Sequence, residues 1–171
     1  IPDLAALDRR VHAATGWRLV PTSERHSDPE SWYRRVAARE FLVTDHVRDP
    51  EELQYTPEPD LLHDLLGHVP YFLEPRFTAV EELFAPAFLR ADRTGREALK
   101  QLAWYSTEFG LLRQDGELKV FGAGLVSSAE EIDRVVGGEV EVRAFRHEDV
   151  LAQPRSVWDF NRVLYATDSL E

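Results

Sequence analysis

The chain of 171 residues contains no cysteine and no methionine. Without cysteine there are no disulfides, no thiolate zinc sites and no cysteine nucleophile, so any metal must be held by histidine and carboxylate. The same absence fits a reducing compartment, and a cytoplasmic protein is expected. No apolar run approaches the roughly 18 residues of a membrane span, and Leu61 to Leu66 is already interrupted by His63 and Asp64. The start, IPDLAALDRR, lacks both an initiator Met and the apolar core of a secretory signal, as expected of a trimmed beginning. Basic excess is missing too. Lys and Arg number 20 against 31 Asp and Glu, and the net charge of −11 argues against a binder of duplex nucleic acid. Ten prolines and nine glycines are dispersed, so no linker, repeat or low-complexity tract stands out.

What remains is a composition of 43% hydrophobic and 30% charged residues, enough to bury the core of one domain. Helix signals dominate. Pro2 to Thr15 is closed by Gly16, and Asp28-Pro29-Glu30 is a cap, first-turn proline and acid opening a helix to about Arg39. Asp49-Pro50-Glu51 repeats that pattern, Pro59 to Leu66 is helical, and Pro75 to Ala91 should kink or break at Pro86. Thr94 is expected to cap a helix running to Phe109, and Ser128-Ala129-Glu130-Glu131 is a capping box for a helix stopped by Gly137-Gly138. Strand signals are fewer: Phe41 to Val43, a hairpin across Asp115-Gly116, Val140 to Phe145 and Val163 to Thr167. The sum predicts a mostly α single domain with a small antiparallel β component.

Chemistry concentrates in YTPEPDLLHDLLGHVP, where His63 and His68 stand five apart in a chain with six histidines. Five residues along a regular helix turn the side chains about 140° apart, so both can face one ion only if the helix ends between them. Gly67 is the residue that permits such an ending. Glu108, in WYSTEFG, is the best third donor, because an acid at a helix C-terminus opposes the helix dipole and invites a compensating cation. Two histidines and one carboxylate form the facial triad of non-haem Fe(II) oxygenases. A His-x₄-His pair alone is a weak motif, and Glu108 alone could be a solvated helix-end acid. A zinc hydrolase with His₂Glu ligands is a competing reading. Against the hydrolase, HDLLGH lacks the His-Glu-x-x-His arrangement that supplies a general base.

YTPEPDLLHDLLGHVP, WYSTEFGLL and VFGAGLVSS closely resemble the catalytic domain of the pterin-dependent aromatic amino acid hydroxylases, the phenylalanine, tyrosine and tryptophan hydroxylases with their bacterial relatives. TGWRLVP at 15–21 and FLVTDHVR at 41–48 look like the bacterial branch. The likeness covers about Thr15 to Ser169 and is densest from Phe41 to Ser128. It implies that His63, His68 and Glu108 bind one Fe(II), that Asp64 lies near a tetrahydropterin, and that Trp32 stacks on it. It also implies that Arg48 holds the substrate carboxylate, a role suited to a planar bidentate donor, although an ion pair with Asp45 or Glu51 is what the local sequence suggests. Thr56, Pro59 and Trp104 would line the substrate, Gly122 and Gly124 would let backbone approach it, and Ser127 would orient the first iron-ligand His. The implied reaction uses Fe(II), tetrahydropterin and O₂ to add one oxygen atom to an aromatic amino acid, phenylalanine- or tryptophan-like, and one to the pterin.

Some positions depart from the family. Arg155 and Trp158 stand where relatives carry uncharged or smaller residues, and Arg162 replaces a usual proline. Facing the cavity, Trp158 would fill part of it and Arg155 would read an extra anionic group, which motivates a runner-up reading of the same chemistry on a modified or non-aromatic amino acid; a non-catalytic homologue that binds an amino acid or pterin as a sensor is the reading of a different class. The chain is expected to be a single catalytic domain, 1–171, without the regulatory domain or oligomerisation tail of animal relatives. A monomer or small homo-oligomer, with no nucleic-acid or membrane partner, completes the expectation.

Overall fold

The computed structural model describes residues 2–24, 28–50, 58–155 and 157–169. Their backbone divides into two compact units, the first formed by residues up to 48 together with 58–96, the second mainly by residues from 97 onward. The Glu51 end of the Asp49-Pro50-Glu51 pattern lies outside the described residues.

In the first unit, α1 (Leu4–Thr15) starts where the Asp3 carboxylate accepts from the Ala5 and Ala6 amides, and it ends on Gly16 at φ 78°. A residue without Cβ occupies that left-handed conformation at little strain. Strand β1 (Arg18–Thr22), absent from the expectation, pairs in parallel with β2 (Glu40–Thr44), and α2 (Pro29–Ala37) makes the crossover between them. Asp28 caps α2 through the Glu30 and Ser31 amides, as its sequence predicts. Helix α3 (Pro75–Arg90) runs unbroken through Pro86, contrary to a break there. The core of this unit gathers Phe72 with Trp17 and Phe41, whose ring centroids lie 4.6 Å and 4.8 Å from it, and Tyr33 stacked on Phe88 at 4.0 Å.

Helix α4 (Arg93–Ala103) is capped by Asp92, whose Oδ1 accepts from the Gly95 amide at 2.8 Å, instead of by Thr94. In the second unit, β3 (Leu111–Gln114) and β4 (Glu117–Val120) form the expected hairpin, with Asp115 at φ 55° and Gly116 at φ 79° as a type I′ turn requires. Helices α5 (Ala123–Val126) and α6 (Ala129–Val136) follow. Strand β5 (Glu141–Ala144), helix α7 (His147–Ala152) and β6 (Val163–Thr167) complete a sheet of order β4-β3-β6-β5. Helices dominate as predicted. Among the described residues the strands differ from the expectation in that only β3–β4 is antiparallel, while β1–β2, β3–β6 and β5–β6 are parallel. A hairpin announces itself in its turn residues, whereas parallel pairs join strands distant in sequence and leave no local mark.

Candidate active site

His63 and His68 lie at the two ends of a π-helical turn, His63–His68. The helix does not end at Gly67, and Gly67 is not among the glycines of positive φ, so the expected break is replaced by a widened turn. Its defining bond runs from the Val69 amide to Asp64 O at 2.8 Å, five residues back. An i→i+5 bond stacks residue i+5 over residue i, as an i→i+4 bond does for i+4 in an α-helix. The two imidazoles therefore meet without an interruption, their Nε2 atoms 3.0 Å apart and their rings nearly perpendicular at 79°. Two nitrogens each about 2.1 Å from one ion, and at about a right angle, stand about 3.0 Å apart, so the pair fits a metal. An N–H···N bond between rings of opposite tautomer has the same span, which makes metal content the decisive measurement. The His68 ring is backed by Phe41 of β2, 5.1 Å away between centroids.

Asp64 is buried and its Oδ2 accepts from the Thr44 amide at 2.8 Å, tying the π-turn to the end of β2. Arg48 is buried as well and pairs with Asp60, a partner beyond the anticipated Asp45 and Glu51, of which Glu51 lies outside the described residues. Arg48 Nη2 and Nε donate to the two Asp60 oxygens at 2.6 Å and 2.9 Å, and the Arg48 amide adds a third bond at 3.0 Å. The same carboxylate accepts from the His63 amide at 2.9 Å, so Asp60 caps the helical turn that carries His63. Burial pushes the Asp60 carboxyl upward, but the Arg48 guanidinium and the two amides outweigh it and hold the group at about 2. Asp60 escaped the sequence reasoning, although Pro59-Asp60 directly ahead of an apolar helix is a cap signal. Pro59 is exposed, Trp32 is half-buried on α2 edge-on to Tyr33 at 4.8 Å, and Thr56 lies outside the described residues.

In the second unit, Glu108 closes another π-turn, Trp104–Glu108, which continues α4 and is sealed by the Phe109 amide on Trp104 O at 2.9 Å. The acid expected on an α-helical last turn thus sits on a widened one. Gly122 packs against that backbone so closely that a Cβ would stand 2.4 Å from Glu108 O. At Gly124 a Cβ would stand 2.6 Å from the Phe109 ring. Trp104 Nε1 donates to Asn161 Oδ1 at 3.2 Å, and its ring lies 4.6 Å from Phe109. Ser127 Oγ donates to Ala123 O at 2.8 Å. Trp158 is 74% exposed. Arg155 Nη1 donates to Gln101 Oε1 at 2.9 Å, and its Nη2 is 3.5 Å from Glu97.

Two histidines paired on one π-turn and a glutamate ending a second are the donor types of a non-haem iron site. The chain matches the family of biopterin-dependent aromatic amino acid hydroxylases over residues 1–171, and it belongs to that family. Protein henna of Drosophila melanogaster is 33% identical over 171 residues, covering 100% of this chain and 38% of that protein. The cold-active phenylalanine hydroxylase of Colwellia psychrerythraea 34H matches with a TM-score of 0.93 and 28% identity, over 99% of this chain and 65% of that one. The phenylalanine hydroxylase of Chromobacterium violaceum with bound iron(III) and 7,8-dihydrobiopterin matches with a TM-score of 0.92 and 29% identity, over 99% of this chain and 62% of that one. The chain thus spans less than two thirds of the length of each of these three relatives.

Proposed function

We propose that the chain is a monooxygenase that hydroxylates an aromatic amino acid, phenylalanine- or tryptophan-like, with O₂, Fe(II) and a tetrahydropterin. The observation that carries the proposal is the pair of Nε2 atoms held 3.0 Å apart by the π-turn. His63, His68 and Glu108 would hold the ion, and two imidazoles with one carboxylate make a suitable donor set. Bound Fe(II), together with the reduced pterin, supplies the activation of O₂. The chain supplies the placement. Asp60 fixes the plane of the Arg48 guanidinium, which would receive the substrate carboxylate. Trp104 would form part of the aromatic pocket, and Asp64 and Trp32 would flank the pterin. The family match spans both compact units, which supports one catalytic domain. No helix among the described residues is long and apolar enough to cross a membrane; a cytoplasmic monomer or small homo-oligomer without membrane or nucleic-acid partners is part of the same proposal.

The test is a product assay. Purified protein is loaded anaerobically with Fe(II), given tetrahydropterin and a panel of Phe, Tyr, Trp and aliphatic amino acids, and exposed to air. Mass spectrometry should find an aromatic amino acid with one added oxygen, dependent on pterin and lost in His63→Ala. Pterin oxidation with no hydroxylated aromatic product would move the reading to a substrate outside the panel. Absence of both iron uptake and pterin oxidation would refute the enzyme and favour a binding protein. That Arg155 is engaged by Gln101 and Trp158 is exposed supports an aromatic substrate over the unusual one.

A further inference from the structure

Asn161, the only asparagine of the chain, is buried between two polar groups. On one side Trp104 Nε1 stands 3.2 Å from Asn161 Oδ1. An indole N–H can only donate, so it fixes the amide with oxygen toward Trp104 and nitrogen away. That nitrogen meets Glu131 Oε1 at 3.3 Å, and the Asn161 backbone amide reaches the same oxygen at 3.4 Å. Glu131 is 0% exposed, and its Oε2 has no hydrogen-bond partner among the described residues.

The helix cap does not explain this carboxyl. In a reciprocal capping box it would turn back to the Ser128 amide, but that amide donates to Leu125 O at 3.1 Å. Only the forward half is made, from the Glu131 amide to Ser128 Oγ at 3.3 Å. Burying a carboxyl with one oxygen unsatisfied is unfavourable, so its use lies in what the other oxygen holds. At the far end of the relay, Trp104 opens the π-turn that ends on Glu108, and its carbonyl receives the bond that closes that turn.

We propose that Glu131 is a positioning residue: through Asn161 it fixes the Trp104 indole at the head of the π-turn that presents Glu108. The consequence for catalysis rests on the function proposed above, in which Trp104 and Glu108 belong to the active site. The relay itself does not.

Two variants of nearly equal volume separate the roles. Glu131→Gln keeps an acceptor for Asn161 Nδ2, and Glu131→Met removes it. In ¹⁵N-labelled protein the Trp104 indole resonance is the one that disappears in Trp104→Phe. Its hydrogen exchange should quicken about tenfold in Glu131→Met, the loss of roughly one hydrogen bond, and stay near wild type in Glu131→Gln. The other three indoles should not change. A folded Glu131→Met with wild-type exchange at Trp104 overturns the proposal. If Glu131→Met does not fold, Asn161→Ala makes the same comparison from the middle of the relay, with the same two outcomes. Exchange needs neither iron nor turnover, so it decides the relay even where the hydroxylation assay fails. In active enzyme, the ratio of hydroxylated amino acid to oxidised pterin should fall in Glu131→Met and recover in Glu131→Gln. An unchanged ratio would overturn the positioning role.

Discussion

Asp60→Asn perturbs the most densely bonded group of the site while preserving its shape. The Asp60 carboxylate is fully buried, pairs bidentately with the Nε–Nη2 edge of Arg48 and caps the turn that carries His63. Removing one partner of a buried ion pair costs about 3–5 kcal/mol. Asparagine still accepts from the His63 amide, so the loss should fall near the lower bound, about 3 kcal/mol. Proton linkage gives an independent figure. The carboxyl lies at about 2 instead of its ordinary 3.8, a difference worth roughly 2.5 kcal/mol. Because the folded-state value is depressed, this stabilisation is fully present above the ordinary value and disappears as pH falls from about 4 to about 2. Urea unfolding at pH 7 should therefore show a midpoint about 1–2 M lower in Asp60→Asn, taking a slope of about 2 kcal/mol per molar. The gap between the two proteins should close on acidification. A gap under about 1 kcal/mol at pH 7, or one that persists undiminished at pH 2.5, would refute the ion-pair reasoning. In the proposed reaction the same variant should raise KM for the amino acid more than it lowers kcat, since Arg48 would lose its fixed plane while the iron donors remain.

Three further outcomes are expected. His63→Ala and His68→Ala should each lower the iron bound per chain at least about tenfold by metal analysis, since each removes a donor itself and not only a group that orients one. Gly122→Ala should destabilise the fold by about 1–3 kcal/mol and release iron, because its methyl must displace the backbone of Glu108 and Gly110, whereas Gly116→Ala meets no atom within 4 Å and should cost only about 1 kcal/mol of turn strain with iron unchanged. Glu131→Gln should raise Tm at pH 7. Burial raises the Glu131 carboxyl above its ordinary 4.5, so wild-type stability falls as pH climbs past that value, and the advantage of the amide should vanish below about pH 4 in a pH series of melts.

The features legible in the sequence were those written within a few residues. Asp28-Pro29 fixes a cap and a first-turn φ together, and Asp115-Gly116 supplies the two positive φ angles of a tight hairpin. Strand β1 escaped because its partner lies beyond α2, and only the folded crossover reveals the pairing. Asp92 displaced Thr94 as the cap of α4 because both are competent acceptors and two residues separate them, which local propensity does not resolve. The histidine pair was legible as a pair, and its mechanism of convergence was not. Gly67 carries a conformational freedom that permits an ending, but permission is all that composition conveys, and the folded chain uses none of it there.

The π-turn gives the His63–His68 spacing a physical reason. Histidines four apart would already share a face of a regular α-helix, so the extra residue is not needed to bring two imidazoles together. What it changes is everything that follows. One residue of α-helix is about 100° of rotation, and the added one turns the chain after His68 by that amount. Phe72, which is buried, meets Phe41 and Trp17 in consequence. Within the turn, Asp64 gives its carbonyl to Val69 and its carboxylate to Thr44, so the widened segment is anchored both to itself and to β2. A deletion that restored α-helical winding could keep the imidazoles paired and still lose the enzyme. It would rotate Phe72 out of its contacts with Trp17 and Phe41, a loss on the order of 3–5 kcal/mol for a core aromatic and comparable to the whole stability of many domains. The spacing of the two histidines is therefore set as much by the core behind them as by the metal proposed to sit in front.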